Sequence, residues 1–239
     1  MKSTECCIVI PIYHEDLFDY EVMSLKQCIK ILNSNYKIVF IYPNNINIFD
    51  ILNKYNINIK YLEDYDNIRY DYRYFDSIEA FNQLLFESDL YSILNDKKYK
   101  YTLLYELDAF IFYDNLKYWI DKNYDFIGSF GFTVNINSLE DDTKFLPMNG
   151  GFSLRKIEYC LNRFDTIWGA KLYGHMWEDA ILSYNNDMIK PLAHETFDFC
   201  WSYNYQLSYI LNNFKLPMAV HYYTCNNKMY NYCKNIFNN

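Results

Sequence analysis

Residues 103–112 read Leu-Leu-Tyr-Glu-Leu-Asp-Ala-Phe-Ile-Phe, which sets the carboxylates of Glu106 and Asp108 inside an otherwise apolar run. Burying either acid unpaired costs several kcal/mol. At the carboxyl end of a strand in an α/β sheet, such acids face the crevice where ligands bind. A hard divalent cation there would neutralise them. The plainer alternative is that Asp108 only caps the following turn.

Three further segments carry chemistry. Residues 148–155 read Met-Asn-Gly-Gly-Phe-Ser-Leu-Arg. Paired glycines let a backbone approach a ligand and offer bare N–H groups, and Asn149 before them can hydrogen-bond sugar hydroxyls. A Gly-Gly pair alone is more often a turn, but the chain has only 6 glycines, so Gly150 and Gly151 are not background. Residues 175–180 read His-Met-Trp-Glu-Asp-Ala. An aromatic beside Glu178 and Asp179 suits sugar stacking with general-base chemistry. Acids at a helix N-terminus, favoured by its dipole, fit equally well. Finally, Val220-His221-Tyr222 ends the last apolar run. A lone histidine is usually a satisfied core residue, yet a neutral imidazole could complete a coordination begun by Asp108.

The elements that must hold these residues follow from apolar patterning. Residues 6–12 are a continuous apolar run expected as a buried parallel strand. Leu17, Val22, Leu25, Ile29 and Leu32 recur at helical spacing. A second strand is expected at 37–42, a short helix at 49–55 and a third strand at 57–62. This alternation predicts a parallel sheet with right-handed crossovers. Residues 63–75 read as a loop and 76–94 as one long helix. A strand interrupted by charge follows at 101–112, then a short helix at 116–120 and a brief strand at 125–128. Residues 129–147 read as a long surface loop. Helices are expected near 156–163 and 177–187, and a last strand ends at His221. One domain, 1–225, and a loosely held tail, 226–239, are the expected organisation.

Composition narrows the class. The 239 residues are 51% hydrophobic, enough for a substantial core. A net charge of −8 carries no basic footprint for nucleic acid. It leaves room for an anionic substrate if a metal ion or helix N-termini supply positive charge. The 7 cysteines are odd in number and form no Cys-x-x-Cys pair, which fits reduced thiols in a cytoplasm better than a zinc site or a disulfide framework. No run is long enough for a signal peptide or a membrane span. A cytoplasmic protein, or one peripheral at a membrane face, is expected.

Taken in order, these segments resemble the GT-A glycosyltransferases, and more closely a family of short microbial glycosyltransferase-like proteins. The resemblance rests on Asn-Gly-Gly-x-Ser-Leu-Arg at 149–155, Asp108 in its apolar strand and Tyr-Asp-x-Ile-Gly at 124–128. Glu178-Asp179 and His221 after Pro217 complete it. It covers roughly residues 5–224. It implies a single-domain, Rossmann-like α/β fold, with a mixed, mostly parallel sheet flanked by helices. Pro11, Tyr13 and His14 would lie near the base and ribose of a nucleotide-sugar donor, most simply a UDP-sugar. Asn149, Gly150, Gly151 and Arg155 would line the donor pocket. Asp108 would face Mn²⁺ or Mg²⁺ and the diphosphate, and His221 would be the last metal ligand or a diphosphate contact. Asp179 would be the base that deprotonates a glycan or glycoconjugate acceptor, with Glu178 orienting it. One departure matters: the usual Asp-x-Asp appears as Glu106-x-Asp108 or as Asp108-x-Phe110, which leaves the metal requirement open.

The implied reaction transfers a hexose to an acceptor hydroxyl, with inversion at the anomeric carbon. Two rivals differ in kind. A degenerate, non-catalytic sugar-binding protein would be favoured by the Asp108-x-Phe110 register. A sugar nucleotidyltransferase would need a glycine- and lysine/arginine-rich segment after the first strand, where this chain has Pro11-Ile12-Tyr13-His14-Glu15-Asp16.

Overall fold

The computed structural model describes residues 2–57, 66–86, 88–130, 148–168, 177–183 and 187–239. Strands β1 (Cys6–Pro11) and β2 (Lys37–Pro43) are buried along nearly their whole length. A parallel strand covered on both faces needs no polar alternation, hence the unbroken apolar runs. Between them runs α1 (Asp19–Leu32), which buries Leu25, Cys28 and Leu32. Its first turn is fixed by Glu21, which accepts the Phe18 N–H at 2.7 Å. Helix α2 (Ile48–Lys54) starts where the Asn47 side chain accepts the Phe49 N–H.

The next element departs from expectation. A third strand at 57–62 lies almost wholly outside the described residues, and Ile57 itself is not in a strand. The strand beside β2 is β3 (Asp66–Tyr70), within the segment read as a loop, and a 3₁₀ turn over Tyr72–Phe75 follows it. As the sheet's edge, β3 is only partly covered and alternates in exposure, so it carries no apolar run to announce it. The expected single helix at 76–94 is two, α3 (Ile78–Phe86) and α4 (Ser88–Asp96).

β4 (Tyr101–Tyr105) pairs in parallel with β1. After it come β5 (Phe110–Ile111), α5 (Leu116–Asp121), β6 (Phe126–Phe130) and β7 (Met148–Lys156). They are followed by α6 (Ile157–Trp168), α7 (Glu178–Ser183), α8 (Ala193–Phe199), β8 (Cys200–Trp201), α9 (Tyr205–Leu211) and β9 (Ala219–Val220). The sheet order is β3-β2-β1-β4-β7-β6-β8-β9-β5. β7 is antiparallel to β4 and β6, β5 is antiparallel to β9, and the other pairings are parallel. This is the expected mixed, mostly parallel α/β architecture. The loop expected at 129–147 falls outside the described residues from 131 on, and His175 and Met176 lie outside them as well.

Residues 226–239, expected as a loose tail, form α10 (Asn227–Asn238), with Cys233 buried. The Asn226 side chain caps it by accepting the Lys228 and Met229 N–H groups. All 7 cysteines are free thiols. No helix among the described residues is long and apolar enough to cross a membrane.

This topology gathers chemistry at one edge. β1, β4 and β9 bring their carboxyl ends to the same side, and antiparallel β7 begins there. Pro11, Glu106, His221 and the glycine pair therefore converge at the crevice where open α/β sheets take ligands.

Candidate active site

β4 stops at Tyr105 because the chain turns, with the Ala109 N–H closing on the Glu106 carbonyl at 2.9 Å. Helix α1 pins this turn: Ser24 Oγ donates to the Ala109 carbonyl at 2.6 Å. The turn presents Glu106 and Asp108 together. His221, just past β9, meets them: its Nε2 lies 3.0 Å from Asp108 Oδ1 and 3.8 Å from Glu106 Oε2. One ligand atom from each of the three lies within 4.8 Å of the others. Phe110 is core, so Glu106-x-Asp108 is the register that forms the cluster.

His221 is 1% exposed. Its own N–H donates to the Trp201 carbonyl at 2.7 Å, and its carbonyl accepts the Tyr205 hydroxyl at 2.8 Å. Nδ1 sits 3.4 Å from Ser202 Oγ. Burial alone would lower the imidazole pKa, but the charges of Asp108 and Glu106 outweigh it and raise it to about 9. Two acids thus draw positive charge to this point. Asp108 Oδ1 and His221 Nε2 are buried and within ion-pair distance, yet neither is aligned in a hydrogen bond. Paired atoms that miss one another in this way fit joint ligands of a third centre. Carboxylate oxygens with one imidazole suit a divalent cation of the manganese type.

The glycine pair is neither a turn nor a left-handed segment. It lies within β7, and its φ values are negative. The glycines are there for space. A Cβ on Gly151 would stand 2.3 Å from His221 Nε2 and 2.8 Å from Glu106 Oε2. A Cβ on Gly150 would stand 2.8 Å from Arg155 Nη2 and 2.9 Å from Glu178 Oε1. Asn149 Oδ1 accepts the Gly151 N–H at 3.0 Å.

Behind Gly150 is a second charged group. Arg155 is fully buried, and its guanidinium donates to Glu178 Oε1 at 2.7 Å, Tyr91 Oη at 2.8 Å, Ser153 Oγ at 2.8 Å and the Gly150 carbonyl at 3.2 Å. With those partners its guanidinium is held in the interior. Glu178 is likewise buried. Burial raises its pKa to about 7 against the opposing charge of Arg155. Asp179, one residue on, is half-exposed. Its Oδ2 accepts the Gly150 N–H at 3.0 Å and its Oδ1 the Ala180 N–H at 2.7 Å. Burial raises its pKa, against those two N–H groups.

At the β1 edge, Pro11 is buried in the strand, paired in register with Ile41. Tyr13 packs edge-on against Phe81, with ring centroids 5.0 Å apart. Its hydroxyl is raised in pKa by burial and by the charges of Glu106 and Asp108. His14 is part-exposed, with Nε2 3.6 Å from Glu21 Oε1. Sequence reasoning quotes Tyr222 beside His221 but gives it no role. Its ring lies on His221 with centroids 3.8 Å apart, and its backbone is left-handed at φ 53° and ψ 29°. A bulky side chain pays about 1–3 kcal/mol for such a conformation. No apolar period or motif marks that position.

The mixed, mostly parallel sheet flanked by helices is that of the GT-A fold. Solved structures bear out the fold. An active-site mutant of LgtC is 11% identical, with 96% of this chain and 94% of that one covered and a TM-score of 0.61. Mouse xyloside xylosyltransferase 1 in its apo form is 10% identical over 91% and 96%, with a TM-score of 0.52. The glycosyltransferase GlyE of Streptococcus pneumoniae TIGR4 is 14% identical over 92% and 55%, with a TM-score of 0.53. No curated protein sequence matches the chain. Residues 64–221 match the family described as "Protein of unknown function (DUF5672)", and the chain belongs to that family.

Proposed function

We propose that this chain is a glycosyltransferase that moves a hexose from a nucleoside-diphosphate sugar, with UDP as the nucleotide, to an acceptor hydroxyl of a glycan or glycoconjugate. The observation that carries this reading is the convergence of Glu106, Asp108 and His221 beside the glycine strand, at the carboxyl edge of a sheet with this fold. The three side chains would hold Mn²⁺ or Mg²⁺, which when bound supplies Lewis-acid stabilisation of a diphosphate leaving group.

The remaining roles belong to the chain. Gly150 and Gly151 keep the floor beside the cluster low enough for a donor sugar. Asn149 is oriented by the Gly151 N–H and faces the same crevice. Asp179 is the acceptor's base. Two backbone N–H groups hold its carboxylate in place, and partial burial strengthens it toward the range a base needs. Attack by a hydroxyl so activated inverts the anomeric carbon. Tyr13 and His14 border the nucleotide end. Phe110 in the core makes Glu106-x-Asp108 the register that supports the catalytic reading over a non-catalytic sugar-binding one.

Calorimetry of UDP binding with and without Mn²⁺ tests the reading. Asp108→Asn is expected to abolish the Mn²⁺-dependent part of UDP affinity while the far-ultraviolet dichroism stays unchanged. Metal-dependent affinity that survives the substitution overturns it.

A further inference from the structure

Tyr222 combines two features that the fold alone does not require. It adopts a left-handed backbone, a conformation that glycine or asparagine takes at little cost and tyrosine does not. That conformation turns its ring back onto the imidazole of the preceding residue, at 3.8 Å between centroids and 31° between planes. His221, which follows β9, stands directly against Gly151 of the glycine strand β7. Those are the two elements whose separation sets the space beside Glu106 and Asp108. At the ring's edge, Ser202 Oγ lies 3.4 Å from Nδ1.

We propose that Tyr222 is a positioning residue for the metal centre: its ring fixes the plane of the His221 imidazole. This rests on the reading of Glu106, Asp108 and His221 as a divalent-cation site. A metal-ligating histidine must be held in one orientation to present its lone pair, and the groups that do so typically contribute tenfold to a hundredfold in metal affinity. Selection of a strained tyrosine where glycine would be relaxed is explained if the ring acts on its neighbour.

The test is Mn²⁺ affinity of the full chain, read from the free-ion electron paramagnetic resonance signal in the absence of nucleotide, for four variants. His221→Ala reports on the centre itself. Tyr222→Gly removes the ring and relaxes the backbone. Tyr222→Asn, which also tolerates a left-handed backbone, repeats the deletion if the glycine variant does not fold. Tyr222→Phe restores the ring. The expected result is a fall in Mn²⁺ affinity of about tenfold to a hundredfold in the glycine and asparagine variants, with melting temperatures close to wild type. Recovery to within about threefold is expected in the phenylalanine variant, because the stack and not the hydroxyl holds the imidazole. Loss in His221→Ala without loss in Tyr222→Gly or Tyr222→Asn overturns the role of Tyr222 and leaves the metal centre standing. Unchanged affinity in His221→Ala overturns the centre and this inference with it.

Discussion

Asp179 is the residue on which the proposed chemistry and the fold make competing demands. Each of its oxygens accepts one backbone N–H, from Gly150 and from Ala180. A purely structural acid would need nothing more. A base needs lone pairs left over and access to an acceptor; Asp179 is only half-buried while its neighbour Glu178 is sealed. Asp179→Asn separates the two roles. Its amide can satisfy only one of the two N–H donors, so a stability loss of about 1–3 kcal/mol is expected whatever the function. If Asp179 is the base, turnover falls in addition by about 10²–10⁴, while donor affinity barely moves. Melting temperature, donor affinity and kcat on the same protein decide it. A lowered melting point with near-normal kcat would mean that Asp179 only braces the Gly150 strand.

At the scale of elements, the strands buried on both faces were legible because burial of that kind writes itself as an apolar run, as at β1, β2 and β4. The edge strand β3 was not, since half of an edge remains polar. The break between α3 and α4 was missed because apolar spacing continues across it: Phe81, Leu84, Leu85, Leu90, Tyr91 and Leu94 are all buried. Glu106, Asp108, His221 and the glycine pair stood out as chemically costly residues in apolar or glycine-poor surroundings. What the sequence could not show is which side of β7 each residue serves. Arg155 and Glu178 lie 23 positions apart and meet only because α7 packs against β7. Their buried pair makes a further prediction. Arg155→Met leaves Glu178 without its counter-charge, and breaking such a pair costs about 3–5 kcal/mol. The cost should depend on pH. The Glu178 pKa is raised in the folded state, to about 7 even with Arg155 present, from 4.5. A carboxyl raised in this way contributes stability that is fully present below its unfolded pKa and lost as pH rises through the folded one. Without Arg155 the folded pKa rises further, so the loss extends to higher pH. Urea midpoints are therefore expected to show a small deficit for Arg155→Met near pH 4.5 and a growing one toward pH 8. A deficit independent of pH would place the effect in lost packing around the guanidinium and not in its charge.

The whole molecule adds a constraint that no single contact reveals. Thirty acidic residues against 22 basic ones leave a charge of −8, and the proposed donor is itself an anion. Among the described residues, the cationic side chain nearest the glycine pair, Arg155, is buried and neutralised by Glu178, so it offers little to a diphosphate. Approach of the nucleotide is therefore opposed by the long-range field, which salt screens over about 8 Å at physiological ionic strength. The usual salt dependence of nucleotide binding should then be inverted. In the absence of a divalent cation, association of a fluorescent UDP analogue is expected to speed up as NaCl rises from about 20 to 200 mM, since screening removes repulsion. With Mn²⁺ saturating, two positive charges sit where Glu106 and Asp108 converge. The local field then outweighs the global one, and the same salt series should flatten or turn downward. Stopped-flow rates in the two conditions check this. Association that slows with salt even without Mn²⁺ would show that a cationic patch steers the donor, and the carboxylate cluster would then not be the gate through which the metal enables binding.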